Sequence, residues 1–207
     1  MLQSGPARAD ESELVRRLLD GDEAAFRQLV REYQPSMQHL ARSIVGEAIA
    51  EEVVQEAWLA VIRALPKFEQ RASLKTWILR IVGNHAKSRL RKESRQINFS
   101  ALGEDACPEP ERFRANGHWS HPPAAWHAER PEDLLASEQL RRRLQAAIAQ
   151  LPPNQQSVLL LRERENLPMQ EICKILELSD SNVRVLLHRA RTRLWRVIEQ
   201  YEEDPSC

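Results

Sequence analysis

QEICKILELSDSNVRVLLHRARTRL, Gln170 to Leu194, is the stretch from which the rest of the chain is read. Ile172, Ile175 and Leu176 recur at the spacing of one buried helix face, which predicts a short helix over Glu171 to Leu176. Leu178 fills the turn that follows. Ser179 is a suitable N-cap, because its hydroxyl accepts from the free amides of the next turn, and Asp180 suits the positive end of a helix. From there Val183, Leu186 or Leu187, Ala190 and Leu194 return every three or four residues and hold a second helix against its scaffold. Two helices joined by a tight turn make a helix-turn-helix, a unit that lays its second helix in the major groove of DNA. The polar face of that helix carries Ser181, Asn182, Arg184, His188, Arg189 and Arg191. Ser181, Asn182 and Arg184, near its start, are placed for base edges: arginine donates twice to guanine and asparagine pairs with adenine. The later residues are better placed for phosphates. From Arg184 to Arg196 there are five arginines and no acid, a bias that an ordinary solvated helix face does not require.

Working outward, the composition favours helices throughout. Leu, Ala, Arg, Glu and Gln dominate the 207 residues, aromatics make up 5%, and strand-forming runs are nearly absent, so the fold class is all-α. Thirty basic residues balance thirty acidic ones. Zero net charge argues against a polyanionic partner only if the charges are mixed, and here they are segregated. Lys75 to Arg95 holds seven basic residues against Glu93 alone, whereas Glu104 to Glu138 holds eight acids against three arginines. A polyanion senses local charge within a Debye length. Cys107, Cys173 and Cys207 are odd in number and far apart, which implies no disulfide framework and fits a reducing cytoplasm. No signal peptide or membrane-length apolar run is visible, so no membrane insertion is expected.

Residues 1–10 read as a loose tail. Residues 11–95 read as successive helices, near Ser12 to Leu19, then from an Asp22 cap with Phe26, Leu29, Val30 and Tyr33 on one face, continuing past Pro35 with a kink. A helix from about Ile49 to Leu65 carries Val53, Val54, Ala57, Trp58, Val61 and Ile62, and Pro66 ends it. Another from about Leu74 to Lys92 places Trp77, Ile78, Ile81 and Val82 inside. Periodicity fails over residues 96–131, an acidic, proline-rich segment too long for a loop within one compact domain, which reads as a flexible linker. Residues 132–203 form a second domain, with helices at Leu134 to Gln150 and Asn154 to Glu165 before the helix-turn-helix. Pro152 and Pro153 stand at a helix start, where proline is tolerated.

In this order the motifs resemble the sigma factors of the extracytoplasmic-function (ECF) group of the sigma-70 family. These are bacterial RNA polymerase subunits reduced to two helical domains, regions two and four. DGDEAAFRQLVREY (Asp20 to Tyr33) is similar to the family's opening helix. AEEVVQEAWLAVIRALPKF (Ala50 to Phe68) is similar to its polymerase-docking helix, and LKTWILRIVGNHAKSRLRK (Leu74 to Lys92) to the helix that opens promoter DNA. LPPNQQSVLLLRERENLPMQEICKIL with the following SDSNVRVLLHRARTRL resembles region four.

The resemblance implies a promoter-specificity subunit with no active site of its own, serving a stress or envelope-response regulon. Its partners are core RNA polymerase, promoter DNA and an anti-sigma factor, in the cytoplasm. It assigns Glu52, Gln55 and Glu56 to docking on the polymerase, where carboxylates pair with arginines across an interface. It assigns the loop Glu69, Gln70, Arg71, Ala72 and Ser73 to a flipped base of the −10 element, and Asn84 to the opened strand. Lys75, Arg80, Lys87 and Arg89 are suited to hold phosphates, as melting requires. The loop lacks the glycine frequent in the family. The helix-turn-helix face reads the −35 element. Trp77 is expected in the core rather than stacked on DNA, and Cys173 as a small buried hydrophobe.

Cys107, His118, His121 and His127 in the linker are spaced too loosely and interrupted by too many prolines for a structural zinc site, so neither metal nor cofactor is expected. A conventional helix-turn-helix regulator with a helical effector domain is the alternative, but it has no use for a basic melting helix followed by an acidic linker. No nucleophile triad, glycine-rich phosphate loop or carboxylate–histidine set supports an enzyme.

Overall fold

The computed structural model describes residues 6–93 and 138–203. The linker, with Cys107, His118, His121 and His127, lies outside the described residues. Eight α-helices are described: α1 (Pro6–Leu19), α2 (Glu23–Val45), α3 (Glu47–Ala64), α4 (Leu74–Glu93), α5 (Glu138–Ala149), α6 (Pro153–Leu159), α7 (Met169–Leu176) and α8 (Asp180–Glu203). A 3₁₀ turn at Leu65–Lys67 holds Pro66, and a π turn at Leu160–Arg164 extends α6. The described residues are all-α, as expected.

Local chemistry sets most boundaries. Asp22 caps α2, its Oδ1 accepting from Ala24 N–H at 2.8 Å and Ala25 N–H at 3.2 Å. Its other oxygen accepts from Arg17 Nε at 2.7 Å. The Arg17 bond, together with the two amides, holds the Asp22 carboxyl below its ordinary pKa despite a small opposing desolvation. α2 runs through Pro35 without a break. Gly46, at φ 80°, turns α2 into α3 in a backbone region where other residues are strained. α1 starts at Pro6 rather than Ser12, because proline is pre-set for a first helical turn and Ala7, Arg8 and Ala9 are good helix formers. The helix expected over Asn154 to Glu165 is instead α6 plus the π turn. There Glu165 N–H donates to Leu160 O at 3.1 Å and Leu167 N–H to Leu161 O at 3.0 Å.

α2, α3 and α4 form a bundle with α1 against α2, and α6, α7 and α8 form a second with α5 against α8. Leu29, Met37 and Leu40 of α2, Val53 and Val54 of α3, and Leu74, Ile78 and Leu79 of α4 are fully buried. So are Leu161, Ile172 and Ile175 in the second bundle, and the buried apolar residues of both bundles, Leu140 and Trp195 apart, belong to one continuous cluster. Two expected core residues are exposed: Val30 (41%) and Ile62 (47%). Each lies at the edge of an apolar stripe wider than the bundle covers. Trp77, expected in the core, is only half-buried and packs against the core's edge, its ring 4.9 Å from that of Phe68. Cys173 is also half-buried and packs on the core, and burial raises its thiol pKa.

Candidate nucleic-acid and polymerase interfaces

The start of α8 is built to present side chains. Asn182 N–H donates to Ser179 Oγ at 3.2 Å, so the cap inferred from sequence is made. Val183, Leu187 and Ala190 are buried beneath. Ser181, Asn182 and Arg184 face outward. Arg184 Nε lies 2.6 Å from Asp180 Oδ2, a surface pair one turn long that raises the guanidinium pKa further. Such a pair aims the guanidinium without committing it.

The other three expected residues are less free. His188 is half-buried, and burial, followed by the charges of Arg189 and Arg191, pushes its pKa below the ordinary value, so the ring is neutral at pH 7. Arg189 is half-buried as well. Arg191 binds Glu163 of the π turn, with Nη2 at 2.5 Å and Nε at 3.2 Å from Oε1, tying α8 to its scaffold. Sequence reasoning missed Val185, 46% exposed beside Arg184. Its signal was a valine off the buried stripe of the helix.

At the start of α4 the loop of residues 69–73 is held at both ends. Leu74 N–H donates to Glu11 Oε1 at 2.8 Å, and Ser12 Oγ donates to Gln70 Oε1 at 2.9 Å. Gln70 itself adopts φ 54°, supplying the left-handed turn for which the loop has no glycine. Thr76 N–H donates to Ser73 Oγ at 3.1 Å, capping α4. Glu69 and Arg71 pair at 2.5 Å and are exposed. Ala72 is half-buried.

Along α4, Arg80 and Asn84 are exposed. Lys75 and Lys87 are instead engaged with carboxylates from the second bundle, Glu165 and Glu177, each at 2.7 Å. On α3, Glu52, Gln55 and Glu56 are all exposed on one face. Glu52 lies 3.0 Å from Arg89 and Glu56 3.6 Å from His85, so two of the three are braced against α4. Leu59 (54%) and Ile62 extend the same face one and two turns beyond Gln55, adding an apolar patch that sequence reading had assigned to the core side or passed over. Among the described residues no group of His, Cys, Asp and Glu is arranged to hold a metal ion, and no helix is long and apolar enough to cross a membrane.

Comparison with known proteins assigns both bundles. Sigma-70 region 2 matches residues 29–96, and Sigma-70, region 4 matches residues 141–194. The chain is 34% identical over 178 residues to the ECF RNA polymerase sigma-E factor of Escherichia coli (strain K12), covering 86% of this chain and 88% of that protein. The ECF RNA polymerase sigma-E factor of Haemophilus influenzae is 30% identical over 187 residues, covering 90% and 94%. Among solved structures, the sigma factor RpoE in complex with the anti-sigma factor NepR from Bartonella quintana matches with a TM-score of 0.55 at 19% identity, over 84% of this chain and 96% of that one. CnrH in complex with the cytosolic domain of CnrY matches at 0.54 and 20%, over 92% and 97%. These two likenesses concern the fold.

Proposed function

The chain belongs to the ECF sigma factors of the sigma-70 family, non-catalytic subunits that act with core RNA polymerase in transcription initiation, and from that premise we propose how its surfaces divide the work. The −35 element is read by the outward front of α8: Asn182 and Arg184 by hydrogen bonds to base edges, Ser181 by an adaptable hydroxyl, and Val185 by apolar contact with a thymine methyl. His188, Arg189 and Arg191 flank that front and serve phosphates or orientation. The loop 69–73 receives a −10 base, and Lys75, Arg80, Asn84 and Lys87 hold the opened strand and its phosphates. Glu52, Gln55 and Glu56, with Leu59 and Ile62, dock on the polymerase. Its partners are core polymerase, promoter DNA and an anti-sigma factor; the similarity to a sigma factor solved in complex with an anti-sigma factor supports the last. On this reading the chain acts in the cytoplasm, where chromosomal promoters are transcribed, and serves a stress or envelope-response regulon.

The observation that carries the division is the capped start of α8, where three polar side chains and one apolar one project together from a rigidly packed helix. The test is transcription by core polymerase with the chain added, on templates carrying promoters selected from a random library. Promoter-dependent transcripts whose yield falls when the −35 bases are changed are expected. Tight duplex binding by the free chain, with no stimulation of polymerase, would instead favour the conventional regulator.

A further inference from the structure

Two consecutive side chains of α1 grip the loop of residues 69–73. Ser12 Oγ donates to Gln70 Oε1 at 2.9 Å near the start of the loop, and Glu11 Oε1 accepts from Leu74 N–H at 2.8 Å just past its end. The partners are 58 and 63 positions apart in the chain, so neither bond is local to the loop. The grip has a firm base. Leu14, Val15 and Leu18 of α1 are buried, and Arg17 ties its last turn to Asp22, the cap of α2. Glu11 also serves α4. The first amides of a helix need acceptors, and a carboxylate suits its positive end. Ser73 Oγ accepts from Thr76 N–H, and Glu11 takes Leu74 N–H from another helix.

The loop needs this grip at Gln70. Its φ of 54° lies in the left-handed region, which glycine enters freely and a residue with a Cβ keeps only when its surroundings compensate. EQRAS, Glu69 to Ser73, contains no glycine, and no asparagine or aspartate either, the other residues that visit this region routinely. Glu69 and Arg71 pair across Gln70, but both are exposed, and such a surface pair contributes little. Ser12 holds the strained residue itself, and Glu11 fixes the backbone where the loop enters α4.

We infer that Glu11 and Ser12 are positioning residues for −10 recognition: α1 holds Gln70 in the left-handed turn that the loop has no glycine to make, so the loop is shaped before DNA arrives. The inference rests on the assignment of loop 69–73 to a −10 base. Neither residue touches DNA in this role. A preshaped loop receives an unstacked base without first losing its own freedom, which favours the open promoter over return of the base to the stack. A determinant of promoter opening thus lies on α1, ahead of the helix that carries the melting residues.

Full-length variants, with core polymerase and a selected promoter, test it. Ser12→Ala and Glu11→Ala are each expected to lower the permanganate reactivity of unpaired thymines about fivefold, with −35 preference unchanged. Hydrogen exchange of the free chain reads the loop directly: the amides of residues 70–74 should exchange about fivefold faster in Ser12→Ala. Gln70→Gly supplies the missing glycine, so adding Ser12→Ala to it should leave loop exchange within about twofold. A merely structural Ser12 would instead loosen the loop equally with and without Gln70→Gly. Equal acceleration in those two backgrounds, or unchanged loop exchange in Ser12→Ala, overturns the inference and leaves the sigma role intact. A loop that loosens as expected while promoter opening is unchanged removes the loop from −10 reading, and the inference falls with that reading.

Discussion

Arg184 and Glu165 show two ways a charged side chain is used in this molecule. Arg184 is exposed, and its partner Asp180 lies on the same helix, so exchanging Asp180 for a base edge involves no rearrangement of the fold. Arg184→Ala is expected to reduce transcription from the cognate promoter about ten- to a hundredfold while leaving thermal stability unchanged. The check is to vary the −35 bases: wild type and variant responding equally would remove Arg184 from base reading. Glu165 is the reverse case. Burial pushes its pKa up, but the Lys75 and Ser36 hydrogen bonds and the nearby charges of Lys75 and Arg164 more than offset this, leaving the carboxyl below its ordinary value of 4.5. A depressed carboxyl pKa contributes stability that is complete above the unfolded value and is lost as pH falls through the folded one. The contribution is therefore present at neutral pH and fades below about pH 4.5. Glu165→Gln should destabilise the chain by about 1–2 kcal/mol at pH 7 and flatten the acid limb of its melting-temperature profile. An acid limb unchanged by the substitution would show that Glu165 does not set it.

At the scale of elements, caps and turns decide how the reading surfaces are aimed. Ser179→Ala removes the side-chain acceptor for Asn182 N–H and is expected to cost about 1 kcal/mol, seen as a lower urea midpoint with unchanged slope. Because that cap fixes the turn bearing Ser181 and Arg184, −35 discrimination should weaken in the same variant. The loop 69–73, proposed to receive a −10 base, depends on its surroundings. Gln70 holds a left-handed conformation that a side chain with a Cβ adopts only under constraint, and Ser12 supplies that constraint from α1. Ser12→Ala should therefore lower open-complex formation severalfold without altering −35 preference; permanganate footprinting of unpaired thymines distinguishes this from a general loss of binding. The π turn does comparable work in the second bundle: its wider turn accompanies the burial of Leu161 and the placement of Glu165 against α4.

For the whole molecule, the continuous core across both bundles predicts one cooperative unfolding transition rather than two. Calorimetry of the full chain is expected to show a single peak, and Gly83→Leu, which would set a side chain against Ile175 where α4 meets α7, to split or broaden it; two peaks in the unmutated chain would mean that the bundles unfold independently. The helix-turn-helix, the Ser179 and Asp22 caps and the helical character of both bundles are legible in the residues. Capping and helical periodicity are local, with each signal and its partner within one or two turns. Exposure at stripe edges is not legible: Val185, Leu59 and Ile62 are apolar letters whose surroundings depend on how wide a face the neighbouring helix covers. Nor is the state of the charged residues, since Lys75 and Lys87 find Glu165 and Glu177 ninety residues away. The sequence by itself thus determined the helical character and the family, and it nominated the residues proposed to meet DNA. Only the tertiary structure decided which of those residues are free to do so, because ion pairing and close approach depend on long-range packing that no local pattern encodes.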